Sequence, residues 1–187
     1  MQPEPMRMTL AEYLEWESAR PTKFEFANGL VYAMVGATDA HQQIIVNLAA
    51  LIRPRLRGTP SRIYTNDIKV LPPNTSTSRY PDLLVTCEPR DLEDALIKRH
   101  PKLIIEVLSK RTERTGLVDK LDEYRGIAEL EEYVLIDSRR IAARGYRRSG
   151  EDWVLHEYSS PDETVRFSSL GLDLSLEHIY EDVPLRN

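Results

Sequence analysis

Helices and strands alternating around one central mixed β-sheet, an α/β or α+β arrangement with helices flanking the sheet, is the fold class this sequence predicts. Tyr80–Val85 and Leu103–Leu108 are apolar runs of strand length, as expected of strands covered on both faces. The stretches from Phe24 to Val35 and from Ile141 to Phe167 read as strands folded about Asn28-Gly29 and Ser149-Gly150. Segments with helical apolar spacing lie between these strands, and no internal repeat or low-complexity linker interrupts them. The 187 residues suit one core, so a single domain over residues 1–187 is expected, with residues 1–8 as a flexible N-terminal extension.

The elements follow from local chemistry. Thr9 and Glu12 form a capping-box pair, and Leu10, Tyr13, Leu14 and Trp16 give the segment up to Ala19 an apolar helical face. After Pro21 the period changes to two for the hairpin. Asp39 is placed as the cap of a second helix through Ile44, Ile45, Leu48, Leu51 and Ile52, which Pro54 and Gly58 end; His41 falls in its first turn. Ile63 to Val70 reads as a strand, and Pro72 to Ser78 as an exposed loop. A polar helical segment is expected from Leu92 to Ile97, a helix from Glu113 to Ala128, a buried strand from Glu132 to Asp137, and a short helix from Ser175 to Tyr180.

Composition bounds the function. A chain with 41% hydrophobic and 29% charged residues is globular. The opening residues hold no apolar signal-peptide core, and no window approaches the roughly 20 apolar residues of a membrane span, so a cytoplasmic protein without membrane contact is expected. Cys87 is the one cysteine, which excludes an intramolecular disulfide; with four scattered histidines it forms no structural zinc spacing. The net charge of −5 argues against indiscriminate nucleic-acid binding. Local basic groups oppose that sign: Arg53, Arg55 and Arg57; Lys110, Arg111 and Arg114; and five arginines without an acid from Arg139 to Arg148. Each cluster reads either as a solvated face or as a contact to DNA.

Glu106 is out of place inside the apolar run Leu103–Leu108. A carboxylate there must be protonated, paired with a cation, or bound to a metal. Strand alternation puts Ile104, Glu106 and Leu108 on one face, with Glu106 near the strand's end. Asp82 begins the other apolar run, so the two carboxylates meet if these strands pair. Such an oxygen pair suits Mg²⁺ or Mn²⁺, which keep several waters and accept a phosphate oxygen. Lys120 shares helical spacing with Leu117 and Tyr124 and can lean toward the sheet, or it can be a solvated helix residue. His41 reads as structural or catalytic, and Glu25, between Phe24 and Phe26, as an exposed strand residue.

In order, Phe24-Glu25-Phe26 with Gly29, His41, Tyr80-Pro81-Asp82, Pro101 before Ile104-Ile105-Glu106-Val107-Leu108-Ser109, Lys120, Tyr124 and Glu132–Asp137 resemble the Uma family of restriction endonucleases, a branch of the PD-(D/E)xK superfamily. The resemblance implies a restriction-endonuclease-like fold and a Mg²⁺- or Mn²⁺-dependent endonuclease acting on DNA. It implies Asp82 and Glu106 as metal ligands, Lys120 as a catalytic lysine moved from the strand to the following helix, and Glu25 and His41 as members of the site. The chain departs from the superfamily at Leu108, where most members have lysine, and at Gly116, where many relatives have aspartate. These departures and the acidic charge leave open a non-catalytic DNA-binding or assembly protein on the same scaffold, and the carboxylates alone leave open another phosphoester as substrate. A homodimer is the assembly expected of an enzyme that cuts both strands.

Overall fold

The computed structural model describes residues 7–34, 36–109 and 117–185, with the side chains of residues 117–119 left aside. Its centre is a six-stranded mixed sheet. The strands are β3 (Arg62–Thr65), β5 (Leu83–Thr86), β7 (Pro101–Leu108), β8 (Glu132–Asp137), β9 (Ala143–Ser149) and β10 (Asp152–Tyr158), in spatial order β10-β9-β8-β7-β5-β3. Within this sheet β7 and β8 run parallel, and helix α3 (Leu117–Arg125) lies in the connection between them; the sheet's other neighbours are antiparallel.

Both faces of the central strands are covered, which is why β7 and β8 are apolar along nearly their whole length. On one face Leu103, Ile105 and Val107 of β7 and Val134 and Ile136 of β8 pack on helix α2 (Asp39–Ile52). Strands β11 (Thr164–Phe167) and β12 (Leu172–Ser175) and helix α4 (Leu176–Ile179) close the same core. On the other face Ile104, Leu108, Tyr133 and Leu135 meet Leu121 and Tyr124 of α3. Glu106 belongs to this second face by strand alternation.

A smaller layer sits beside the sheet. Helix α1 (Leu10–Ser18) begins with the capping box, Thr9 and Glu12 each bonding the other's backbone. Hairpin β1 (Phe24–Ala27) and β2 (Leu30–Ala33) turns through Asn28 and Gly29, both with positive φ (53° and 80°). A glycine at the second turn position meets that requirement without strain. Phe26 stacks on Tyr13 and Phe24 meets Trp16 edge-on, so these two strand positions face α1. The other edge of β1 is held by Ser78, whose N–H donates to the Phe26 carbonyl at 2.8 Å and whose carbonyl accepts in return at 2.9 Å. Arg7 bridges to Leu30, and the Met8 N–H donates to the Gly29 carbonyl at 3.3 Å.

Several boundaries differ from the sequence reading, each for a local reason. Thr38, rather than Asp39, caps α2, its hydroxyl accepting from the His41 N–H at 3.3 Å. Asp39 instead occupies the first turn, where its charge favours the helix dipole. The strand expected from Ile63 to Val70 is broken at Asn66, which has φ 53°, leaving β3 and the short β4 (Lys69–Val70). The expected helix from Leu92 to Ile97 is absent. A 3-10 turn spans Pro89–Leu92, after which Asp94 accepts from the N–H groups of Leu96 and Ile97 and turns the chain into β6 (Ile97–Lys98), paired with β4. The loop from Pro72 ends with Thr77 and Ser78 buried, because Ser78 supports β1. The part of the expected third helix before residue 117 lies outside the described residues.

Ile104 is fully buried beneath α3. Ile104→Ala is therefore expected to lower stability by about 2–5 kcal/mol in equilibrium urea unfolding. A loss below about 1 kcal/mol would show that α3 does not pack on this face.

Candidate active site

The two suspected carboxylates are neighbours across strands. Leu83 stands opposite Ile105 in the antiparallel pair, so the residue before β5, Asp82, stands opposite Glu106. Asp82 is fixed by the neighbouring backbone: its Oδ2 accepts from the Val107 N–H at 2.7 Å. Glu106 is buried at 8% exposure, and its Oε1 accepts from Lys120 Nζ at 3.0 Å and from the Tyr124 hydroxyl at 3.4 Å. Lys120 and Tyr124, four residues apart on α3, present one face to the sheet.

Lys120 also reaches the hairpin, donating to Glu25 Oε1 at 3.2 Å. Glu25 accepts on the same oxygen from the Tyr80 N–H at 3.3 Å, and on Oε2 from Arg79 Nη1 at 3.1 Å. Arg79 closes the cluster through a two-pronged pair with Glu123 of α3, at 2.9 and 2.8 Å. From the opposite side the first turn of α2 brings His41 Nε2 to 3.3 Å from Asp82 Oδ2. Its Nδ1 is buried with no hydrogen-bond partner among the described residues.

Charge is unevenly compensated. Asp82, Glu106, Glu25 and Glu123 gather around two permanent cations, Lys120 and Arg79. Burial pushes the Glu106 carboxyl up to about 7, against the pull of Lys120 and with help from Asp82 and Glu25. For Glu25 burial acts in the same sense, but Lys120 and Arg79 outweigh it and hold the group below its ordinary value. Burial disfavours the charge on Lys120 as well, yet Glu106 and Glu25 together raise it. His41 is likewise raised, Asp82 and Glu106 overcoming the effect of burial.

The donor set suits a small divalent cation that keeps much of its water. No group of three or more His, Cys, Asp and Glu able to hold a metal exists among the described residues. What the cluster offers is a carboxylate pair: no hydrogen bond among the described residues reaches Asp82 Oδ1 or Glu106 Oε2, since the contacts fall on the other oxygen of each. Two hard oxygens in a patch that holds more acids than bases among the described residues fit a hard divalent cation whose shell water completes.

All five residues singled out in the sequence, Asp82, Glu106, Lys120, Glu25 and His41, gather here. Glu25 is not the exposed strand residue its neighbours suggested, because the hairpin turns that face toward α3. Arg79 and Glu123 were missed. Glu123 lies three residues from Lys120, a spacing that puts both on one helix side; Arg79 lies in a polar stretch and carries no comparable sequence signal. Leu108, on the face of Glu106, is buried with Leu121 and Leu135, and the cation comes from α3 instead.

The arginine cluster after Asp137 is not a free basic face: its arginines have partners, while Arg140 stays largely exposed. Arg147 pairs with the buried Glu132 at 3.1 Å, and Arg148 donates to the carbonyls of Arg125, Ile127 and Leu130. Arg139 and Arg140 pair with Asp137, and Arg144 with Glu157. Arg55 donates to the Gly171 carbonyl at 3.0 Å. Lys110, Arg111, Arg114 and Gly116 lie outside the described residues. None of the described helices is long and apolar enough to cross a membrane.

Comparison with known proteins gives concordant matches. The family model Uma2, "Putative restriction endonuclease", matches residues 10–177. An uncharacterized protein of Synechocystis sp., slr1290, is 32% identical over 175 residues, spanning 93% of this chain and 92% of that protein. A second from the same organism, sll1609, is 29% identical over 168 residues, spanning 88% and 95%. Among solved structures, one titled a "putative nuclease belonging to DUF820" from Anabaena variabilis superposes with a TM-score of 0.77 at 20% identity, covering 92% of this chain and 97% of that one. At that identity the likeness is one of fold: a mixed α/β, nuclease-like architecture.

The raised carboxyl of Glu106 has a consequence for stability without metal. Between about pH 4.5 and 7 the folded chain keeps a proton on Glu106 that the unfolded chain has lost. The stabilisation from this group is therefore complete below about 4.5 and is lost as the pH rises through about 7. In thermal melts with EDTA, Glu106→Gln is expected to flatten the fall in Tm across that window. An unchanged slope would show that Glu106 is ionised throughout.

Proposed function

The chain belongs to the Uma2 family, and on that premise we propose that it is a Mg²⁺- or Mn²⁺-dependent endonuclease hydrolysing phosphodiester bonds of DNA. The observation that carries the proposal is the adjacency of Asp82 and Glu106 across β5 and β7, each with one oxygen unengaged among the described residues. Asp82 and Glu106 would hold the metal. Once bound, such an ion polarises the phosphate and lowers the pKa of a coordinated water.

The chain's own groups do the rest. Lys120 Nζ, 3.0 Å from Glu106, orients the attacking water and offsets charge on the phosphate oxygens. Glu25 and Tyr124 hold that ammonium and its carboxylate in register, and Arg79 holds Glu25. His41 Nε2 orients Asp82 and keeps a proton beside it, in keeping with its raised pKa. Water adds to phosphorus and gives up a proton, the bond to the leaving oxygen breaks, and that oxygen takes up a proton, so that one water is divided between a phosphomonoester and a free hydroxyl. Nucleases that cut both strands often use paired sites, and a homodimer would supply the second.

A scaffold that binds DNA without cutting it is the second reading, favoured by the lack of a three-ligand group among the described residues. Calorimetric titration with Mn²⁺ separates the two. Binding that disappears in Asp82→Ala supports the enzyme, and no binding at millimolar Mn²⁺ supports the scaffold.

The direct test is nicking of supercoiled plasmid in Mn²⁺. Asp82→Ala, Glu106→Ala and Lys120→Ala are each expected to slow it by about 100-fold or more, and EDTA to stop it. Equal nicking by all three variants would trace the activity to a contaminant and overturn the proposal.

A further inference from the structure

Beside the charged cluster lies an uncharged rim. From Leu30 to Thr38 nine consecutive residues carry no charge, in a chain of which 29% is charged. Tyr32 and Met34 on this stretch are 48% and 40% exposed, high values for large apolar side chains. Their position follows from the hairpin register. Phe24 and Phe26 face α1, so Glu25 faces the other way, toward Lys120. Tyr32 stands directly opposite Glu25 in the antiparallel pair and so shares its face. The Met34 N–H still bonds to the Lys23 carbonyl at 3.2 Å, which keeps the strand geometry and puts Met34 on the same face. The chain then runs through exposed Gly36, Ala37 and Thr38 to His41. An exposed aromatic ring thus borders the site between two of its members.

Resting on the nuclease reading, we infer that Tyr32, flanked by Met34, is a stacking platform for one unpaired base of the nucleic acid, next to the phosphate that is cut. The nine residues of the rim offer no cation of their own to the backbone, and Lys23, opposite Met34 on the same face, is already paired with Asp67, whereas a tyrosine face takes any base. Bases inside a duplex are covered by their neighbours, so the ring engages only a nucleotide that is single-stranded or locally unpaired. The substrate class is accordingly DNA with unpaired nucleotides at the cleavage position, and Tyr32 is a specificity-determining residue rather than a catalytic one.

The test titrates the whole chain, in EDTA so that nothing is cut, with a single-stranded oligonucleotide carrying one 2-aminopurine and with its duplex. Wild type and Tyr32→Phe are expected to quench the 2-aminopurine and to bind the single strand about tenfold more tightly than Tyr32→Ala. Duplex affinity should be the same for all three proteins, and equal melting temperatures verify the fold of this exposed substitution. Equal single-strand affinity of wild type and Tyr32→Ala overturns the inference, as does a parallel loss on both substrates. A change of assembly state in Tyr32→Ala by sedimentation, with oligonucleotide binding intact, also overturns it and makes the rim a contact between copies. Cleavage in Mn²⁺ separates this inference from its premise. Tyrosine-dependent quenching without cleavage of any nucleic acid removes the nuclease and retains the platform, whereas equally fast cutting of unpaired DNA by Tyr32→Ala removes the platform and retains the nuclease.

Discussion

The charge of Glu106 is the constraint around which this molecule is organised. It sits in a strand whose two faces are both covered, with Ile104 and Leu108 on its own side. A carboxylate there is costly unless paired, and removing one member of a buried ion pair typically costs about 3–5 kcal/mol. Lys120 supplies the partner. Because Lys120 comes from α3 and also bonds Glu25, one ammonium ties the crossover helix, the central strand and the β1–β2 hairpin together. Arg79 repeats the pattern one step outward, joining Glu25 to Glu123.

Pairing alone does not complete the cluster. Asp82 and Glu25 both work with burial to raise the Glu106 carboxyl, so Lys120 alone does not hold it at its ordinary value. Structural ion pairs elsewhere in the chain show a different balance. Glu132, buried at the start of β8, receives the Arg147 guanidinium, the backbone N–H groups of Ser168 and Ser169 and the Ser169 hydroxyl. Both of its oxygens are engaged. Glu106 and Asp82 each leave one oxygen unengaged among the described residues, which supports the proposal that they hold a ligand.

Much of this was legible in the sequence because it rests on short-range rules. A glutamate within six otherwise apolar residues announces a buried charge, and the alternation of β7 assigns its face. The capping box and the Asn28-Gly29 turn needed no tertiary information either. What escaped depends on contacts remote in sequence. Arg79 gains its meaning from Glu25 and Glu123, 54 and 44 residues away. The break at Asn66 and the turn at Asp94 arise where single side chains or backbone angles override the strand and helix patterns around them. The arginines after Asp137 looked basic in sequence, yet cross-strand acids and helix-end carbonyls use most of them.

The central claim is that Asp82 and Glu106 share one divalent cation with the Lys120 ammonium beside it. Anomalous diffraction from crystals soaked in Mn²⁺ measures this directly. The account requires a single peak within coordination distance of both carboxylates and adjacent to Lys120 Nζ. A peak elsewhere, or none at these two residues, with Lys120 still bridging Glu106 and Glu25, would reduce the cluster to a structural clamp and contradict the account.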